Sequence, residues 1–237
     1  MKHIFKFKQF TINQDQCAMK IGTDSVLLGA WTPIDQNPLS ILDIGAGTGV
    51  LSLMLAQRCD AMTIDAIEID DNAYEQCVEN FENSPWSDRL FCYHASLEEF
   101  TEEIEETYDL IICNPPFYLD HYKTDDKQRA LARFQDAMPF EHLLESVSKL
   151  LSNNGRFAVV IPFKEETCFS ELAQSFGLHA HQILRVRGNT TSQIVRSLMY
   201  FGFENIPSNS DELIIETVRH QYTNKYINLT KDFYLKM

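Results

Sequence analysis

The sequence predicts an α/β domain: a mostly parallel sheet that ends in an antiparallel hairpin. Short continuous apolar runs alternate with stretches of helical spacing through most of the chain, as β-α units feeding a parallel sheet require. Glycines cluster in Gly45-Ala46-Gly47-Thr48-Gly49 at one strand-to-helix junction. Near the end, the extended runs Gln182 to Val186 and Ile194 to Phe203 flank Arg187-Gly188-Asn189, which reads as a hairpin.

The opening alternates Phe5 and Phe7, then Phe10 and Ile12, so the parity changes as two short strands or one bulged strand would require. Ile21 to Trp31 carries two glycines and Asp24 within a helical pattern, which predicts a loop leading into a short helix beside the first sheet strand. That strand is Ile41 to Ile44, followed by the glycines and the helix-forming stretch Val50 to Arg58. Thr63 to Ile69 is the second, and Ala73, Cys77 and Phe81 recur at helical spacing after it. Leu90 to His94 is the third and passes through Ala95-Ser96-Leu97 into an acidic stretch, Glu98 to Asp109, expected to be a solvated connector.

Tyr108 to Cys113 is the fourth strand, and Asn114-Pro115-Pro116-Phe117 ends it. The polar stretch 118–135 is expected to be a loop beside the site, acting as a lid. Pro139 opens a helix with Phe140, Leu143, Leu144, Val147, Leu150 and Leu151 on one face, and Gly155 is placed to cap its end. Phe157 to Ile161 is strand five, and a helix from about Glu165 to Phe176 leads to the hairpin. Leu213 to Thr217 forms another extended piece, and Tyr222, Tyr226, Leu229 and Phe233 put apolar groups on one face of a last helix.

The 237 residues suit a single domain, 1–237, with a short N-terminal extension of about 1–32. Six cysteines without metal-ligand spacing read as reduced core side chains, which implies a cytoplasmic protein. No run reaches the length of a membrane span, so neither secretion nor membrane association is expected. His121, His179 and His181 lack partners at suitable spacing, so no metal is expected. The net charge of -14 comes from the first half: 6 basic against 20 acidic residues up to Leu119, and 14 of each after it. Local cations can therefore still meet phosphate, and Arg185, Arg187 and Arg196 near the hairpin are the candidates.

The glycines narrow the ligand. A dinucleotide fingerprint needs Gly-x-Gly-x-x-Gly, but the third glycine here is Gly49, and Val50 follows it. Asp43 just before the loop would repel a pyrophosphate yet hold an α-ammonium, which favours S-adenosylmethionine. Glu68, at the end of the second strand, can accept from both ribose hydroxyls, and Ser96 and Leu97 can contact the adenine ring. At the carboxyl end of strand four, Asn114 Oδ1 and the Pro115 carbonyl can accept the N–H bonds of a conjugated amine. That favours tetrahedral geometry at nitrogen and frees its lone pair for methyl transfer. Phe117 can stack on the base that carries the amine.

These motifs resemble those of the class I (Rossmann-like) methyltransferases with an Asn-Pro-Pro-aromatic motif that modify amino groups. More narrowly, Lys20 to Trp31 and Tyr222 to Leu235 are similar to segments of the bacterial tRNA adenine-N6 methyltransferases acting beside the anticodon of a valine tRNA. The resemblance covers nearly the whole chain and implies a seven-stranded sheet with no separate RNA-binding domain, tRNA as substrate, S-adenosylhomocysteine as product and no obligatory protein partner. It also implies that Thr23 and Asp24 lie against the cofactor pocket. Ser96 departs from the aspartate common in methyltransferases. Glutamine-N5 methylation of a protein such as a release factor is the alternative reading, with guanine-N2 methylation of ribosomal RNA third.

Overall fold

A computed structural model describes residues 4–116 and 138–237. Phe117 and the stretch 118–135 expected as a lid lie outside the described residues. The N-terminal strands β1 (Ile4–Lys6) and β2 (Thr11–Asn13) pair antiparallel, as the parity change requires. Helix α1 (Thr23–Trp31) follows, then β3 (Ser40–Ile44), α2 (Val50–Arg58), β4 (Thr63–Glu68), α3 (Asp71–Glu82), β5 (Leu90–His94), α4 (Leu97–Glu103) and β6 (Tyr108–Cys113). The second half holds α5 (Phe140–Leu150), β7 (Leu151–Pro162), a 3-10 turn (Phe163–Glu165), α6 (Glu166–Ser175), β8 (His179–Asn189), β9 (Ile194–Gly202), β10 (Asn209–Val218), β11 (Gln221–Tyr222) and α7 (Asn224–Thr230).

The main sheet runs β11-β10-β8-β9-β7-β6-β3-β4-β5 among the described residues. Strands β5, β4, β3, β6 and β7 are parallel, and β9 turns antiparallel against both β7 and β8. The seven expected strands are present, and β10 extends the sheet by pairing parallel to β8. Alternate residues of the central strands feed two cores on opposite faces. Ile41, Leu110, Ile112, Ala158 and Val160 pack on the side of α2. Leu42, Ile44, Ile111, Val159 and Ile161 pack on the side of α5 and α6. Each such fully buried aliphatic side chain contributes roughly 1.5–3 kcal/mol, and two covered faces account for the unbroken apolar runs.

Three local expectations need correction. Helix α1 packs against α2, β7 and α7. Its interior Gly29 lies against the Met54 side chain of α2, so a glycine that resembled an interruption is a point of helix contact. The acidic stretch is not all connector, because Leu97–Glu103 forms α4 with Phe100 buried beneath it. Ser96 and Glu99 form a capping box there, and Glu98 and Glu99 favour the positive end of the helix. Gly155 does not cap α5; Leu151 does, and β7 starts at once. Gly155 lies inside that strand, where a side chain would come within 2.8 Å of the Tyr108 carbonyl.

Candidate active site

The carboxyl ends of β3, β4, β5 and β6 lie side by side, and the loops leaving them converge. Ile44 pairs with Cys113, so Gly45 and Asn114 leave neighbouring strands at the same level. The glycine loop is tied to β4 by bonds from Gly45 N and Ala46 N to the Ile67 carbonyl, both 3.0 Å. Asn80 of α3 donates to the Thr48 carbonyl at 2.9 Å and holds the loop from below. Gly45 and Gly47 have φ of +73° and +55°, and a side chain at either would stand in open space. Glycine is thus required by the backbone, and the backbone itself borders room for a ligand.

Glu68 organises the same corner. Its Oε2 accepts from Gly47 N at 2.7 Å, and Oε1 accepts from Ile69 N and Asp70 N at 2.9 and 3.0 Å. Beside it opens a cavity of about 370 Å³ lined by Gly45, Glu68, Ser96 and Leu97. Met138 and Pro139, with His142 and Ser146 of α5, form another part of its wall. This wall escaped sequence reading, which used only the apolar face of that helix. Ser96 lines the cavity, but its hydroxyl is engaged in the capping box, donating to Glu99 Oε2 at 2.8 Å.

Asp43 is fully buried under the loop on the α2 side. Its Oδ2 accepts from Ser52 N at 3.1 Å and Ser52 Oγ at 2.7 Å, whereas Oδ1 is buried without a partner among the described residues. Burial pushes its carboxyl up to about 7; the two Ser52 bonds oppose that rise and the nearby Glu68 adds to it. An anionic oxygen left bare in the interior is costly unless a cation or donor comes to it. Ser52 was not legible as a site residue, since a serine three positions after Gly49 resembles any other in a helix.

The remaining predicted residues form a second cluster. Asn114 is half-buried and Pro115 buried, and Asn114 Nδ2 donates to Ser25 Oγ at 2.8 Å. Thr23 and Asp24 lie just before that serine in the first turn of α1. Thr23 is exposed, and the Asp24 carboxylate accepts from Arg196 Nε at 2.7 Å. The cavity beside Glu68 is not lined by Thr23, Asp24 or Asn114. Phe117 lies outside the described residues.

The arginines expected to meet RNA are instead engaged within the fold. Arg185 grips Glu166 through Nε and Nη2, the latter at 2.7 Å, and its guanidinium stands 5.9 Å over the Phe163 ring. Arg187 bonds Glu212 at 2.8 Å and Arg196 bonds Asp24. Each of these charges is met by a carboxylate of the fold. No described helix is long and apolar enough to cross a membrane.

Comparison with known proteins agrees with the geometry. Residues 21–187 match the methyltransferase small domain. The chain is 62% identical over 234 residues to the tRNA1(Val) (adenine(37)-N6)-methyltransferase of Flavobacterium psychrophilum, covering 99% of this chain and all of that protein. It is 45% identical to the protein of the same name from Bacteroides fragilis, with 98% of each chain covered. Among solved structures, a predicted O-methyltransferase from Agrobacterium tumefaciens shares the fold at a TM-score of 0.68 and 19% identity, over 89% of this chain and 96% of its own. With both ends included in a match of this length, the chain belongs to the tRNA1(Val) (adenine(37)-N6)-methyltransferase family, within the methyltransferase small-domain proteins.

Proposed function

We propose that this protein methylates the exocyclic N6 amine of an adenosine in tRNA, the adenosine 3′ of the anticodon in a valine tRNA, using S-adenosylmethionine. The observation that carries this reading is the near full-length similarity to relatives named for that reaction, 62% identical in the first case. The rival amines, glutamine N5 and guanine N2, have no such support. A tRNA substrate puts the reaction in the cytoplasm.

The residues present fit the cofactor. The bare, buried Oδ1 of Asp43 and the open space over Gly45 and Gly47 suit a ligand that brings a cationic amine close to backbone. When bound, S-adenosylmethionine supplies an electrophilic methyl group on a positively charged sulfur. Asp43 neutralises the cofactor's ammonium, directly or through water. Gly45 and Gly47 let the backbone approach, Gly49 at φ +76° turns the loop into α2 against Phe81 and Cys77, and Glu68 is the acceptor for ribose hydroxyls. Ser96 and Leu97 bound the adenine side of the cavity. Thr23 and Asp24 act through the position of α1, which Arg196 anchors.

Asn114 and Pro115 do the chemistry at the substrate. An aromatic amine is a weak nucleophile because its lone pair is shared with the ring. Asn114 Oδ1 and the Pro115 carbonyl accept its two hydrogens and draw nitrogen toward tetrahedral geometry, so the lone pair becomes available as the bond to carbon forms. Phe117 supplies the stacking face for the base. No base of tuned pKa is needed before attack: nitrogen turns cationic and strongly acidic only as the bond to carbon forms and the sulfur–carbon bond breaks, and the proton it then loses passes to water.

The test is direct. Incubation with S-adenosylmethionine and total tRNA lacking the modification should yield N6-methyladenosine on nucleoside mass spectrometry. Transfer to glutamine of a protein, or to guanine of ribosomal RNA, with none to tRNA would replace this reading.

A further inference from the structure

The geometry points to Ser25 as the positioning residue that holds the Asn114 amide in place for the substrate amine. This inference rests on the proposed reaction. A side-chain amide has two ends of nearly equal size and opposite polarity. Only Oδ1 can accept from an incoming N–H; a flipped amide would present hydrogens to hydrogens. The prolines at 115 and 116 restrict the backbone around Asn114 but say nothing about that rotation.

Ser25 restrains that rotation. Its Oγ lies 2.8 Å from Asn114 Nδ2 and accepts from it, which commits the nitrogen end and turns Oδ1 to the other side. Ser25 is buried, so water competes poorly for the same bond. The helix that carries it is held at both ends: Asp24 by Arg196 at 2.7 Å, and the Gly29 carbonyl by Arg58 Nη1 at 2.7 Å. The serine hydroxyl is therefore a fixed point against which the amide is set. The contact joins residues 89 positions apart. It also gives the N-terminal segment of the chain a share in substrate activation, beyond any part in holding the cofactor.

Two measurements on the full chain test this. The first needs no substrate: with 15N-labelled asparagine, and the Asn114 signal assigned through Asn114→Ala, solvent exchange of the Nδ2 hydrogens is followed by NMR. Ser25→Ala should speed that exchange roughly 5- to 10-fold, the loss expected for one neutral hydrogen bond, and Ser25→Thr, which keeps the hydroxyl, should restore it. The second is steady-state methylation of tRNA, where Ser25→Ala should lower kcat roughly 5- to 10-fold. KM for tRNA, Kd for S-adenosylmethionine and Tm should stay near wild type. Unchanged amide exchange in Ser25→Ala overturns the inference, as does a loss expressed in cofactor binding with kcat intact. Failure of the wild-type protein to methylate tRNA would instead overturn the proposed reaction, and the exchange measurement would still decide the role of Ser25.

Discussion

Replacing Asp43 with asparagine should weaken cofactor binding while leaving the fold as stable or more so, an uncommon pairing that follows from one buried carboxylate. The side chain has the same shape, and an amide oxygen can still accept both bonds from Ser52. What disappears is a charge. In the folded protein burial raises the Asp43 carboxyl from 3.8 to about 7. Between those pH values the folded state holds a proton that the unfolded chain has released. Stability is therefore greatest at low pH and falls as pH rises through this window, by an amount on the order of a few kcal/mol, and stays reduced above it. Asp43→Asn is neutral throughout and escapes that loss, so its Tm at pH 8 should equal or exceed that of wild type, with any advantage vanishing near pH 4.

Cofactor binding should move the other way. A charge-assisted hydrogen bond contributes about 1.5–3 kcal/mol, so calorimetry at pH 8 should show S-adenosylmethionine bound roughly 10- to 100-fold more weakly by Asp43→Asn. Wild-type affinity should rise with pH between about 6 and 8, with a proton released on binding that shows as a dependence of the heat on the buffer's ionisation enthalpy. Equal affinity of the two proteins at pH 8, or a marked fall in the variant's Tm there, would refute the reasoning.

Other substitutions separate the remaining roles. Asn114→Ala should reduce turnover by on the order of 10²-fold with cofactor affinity nearly unchanged, because its contacts strengthen as the amine changes geometry; parallel losses in kcat and S-adenosylmethionine binding would count against it. Glu68→Gln should weaken cofactor binding by about tenfold in calorimetry, since charged acceptance of ribose hydroxyls is lost along with part of the loop anchoring. Arg185→Ala should destabilise the fold by about 1–2 kcal/mol in urea, because it strips the main partner from Glu166, a carboxylate only 8% exposed. Burial alone would raise the Glu166 carboxyl, but the bonds from Arg185 and Ser197 outweigh it and hold it below the ordinary range. Its stabilising contribution is thus present at neutral pH and is lost as pH falls through the lowered value. Should Arg185→Ala leave stability intact and instead flatten the salt dependence of tRNA binding, the arginine is a phosphate contact after all.

The sheet and the glycine loop were legible because their signals are local. A parallel strand covered on both faces must be a short apolar run, and β3, β4 and β6 are such runs; glycines with positive φ must stand where the chain turns sharply. Helix α4 was hidden for the opposite reason. Its seven residues include four glutamates, so charge drowned the capping signal of Ser96 and Glu99 that was present in the chain all along. Gly155 deceived because glycine after a helical run resembles a cap, yet the close approach of Tyr108 demands it inside a strand. Pairings across the fold left no local trace: Ser25 with Asn114, Asp24 with Arg196, and Glu166 with Arg185 join distant positions. A sequence shows which residues carry charge but not which of them pair, and the arginines of the hairpin illustrate the difference.

One measurement reaches the central claim most directly. A valine tRNA transcript and its counterpart with guanosine at position 37, the position in the relatives' name, are each incubated with S-adenosylmethionine carrying a deuterated methyl group, and the label is located by mass spectrometry of the digested RNA. The account predicts a single deuterated methyl on N6 of adenosine 37 in the first transcript, none in the second, and a loss of on the order of 10²-fold with Asn114→Ala. Label at another nucleotide, or undiminished transfer by Asn114→Ala, would contradict it.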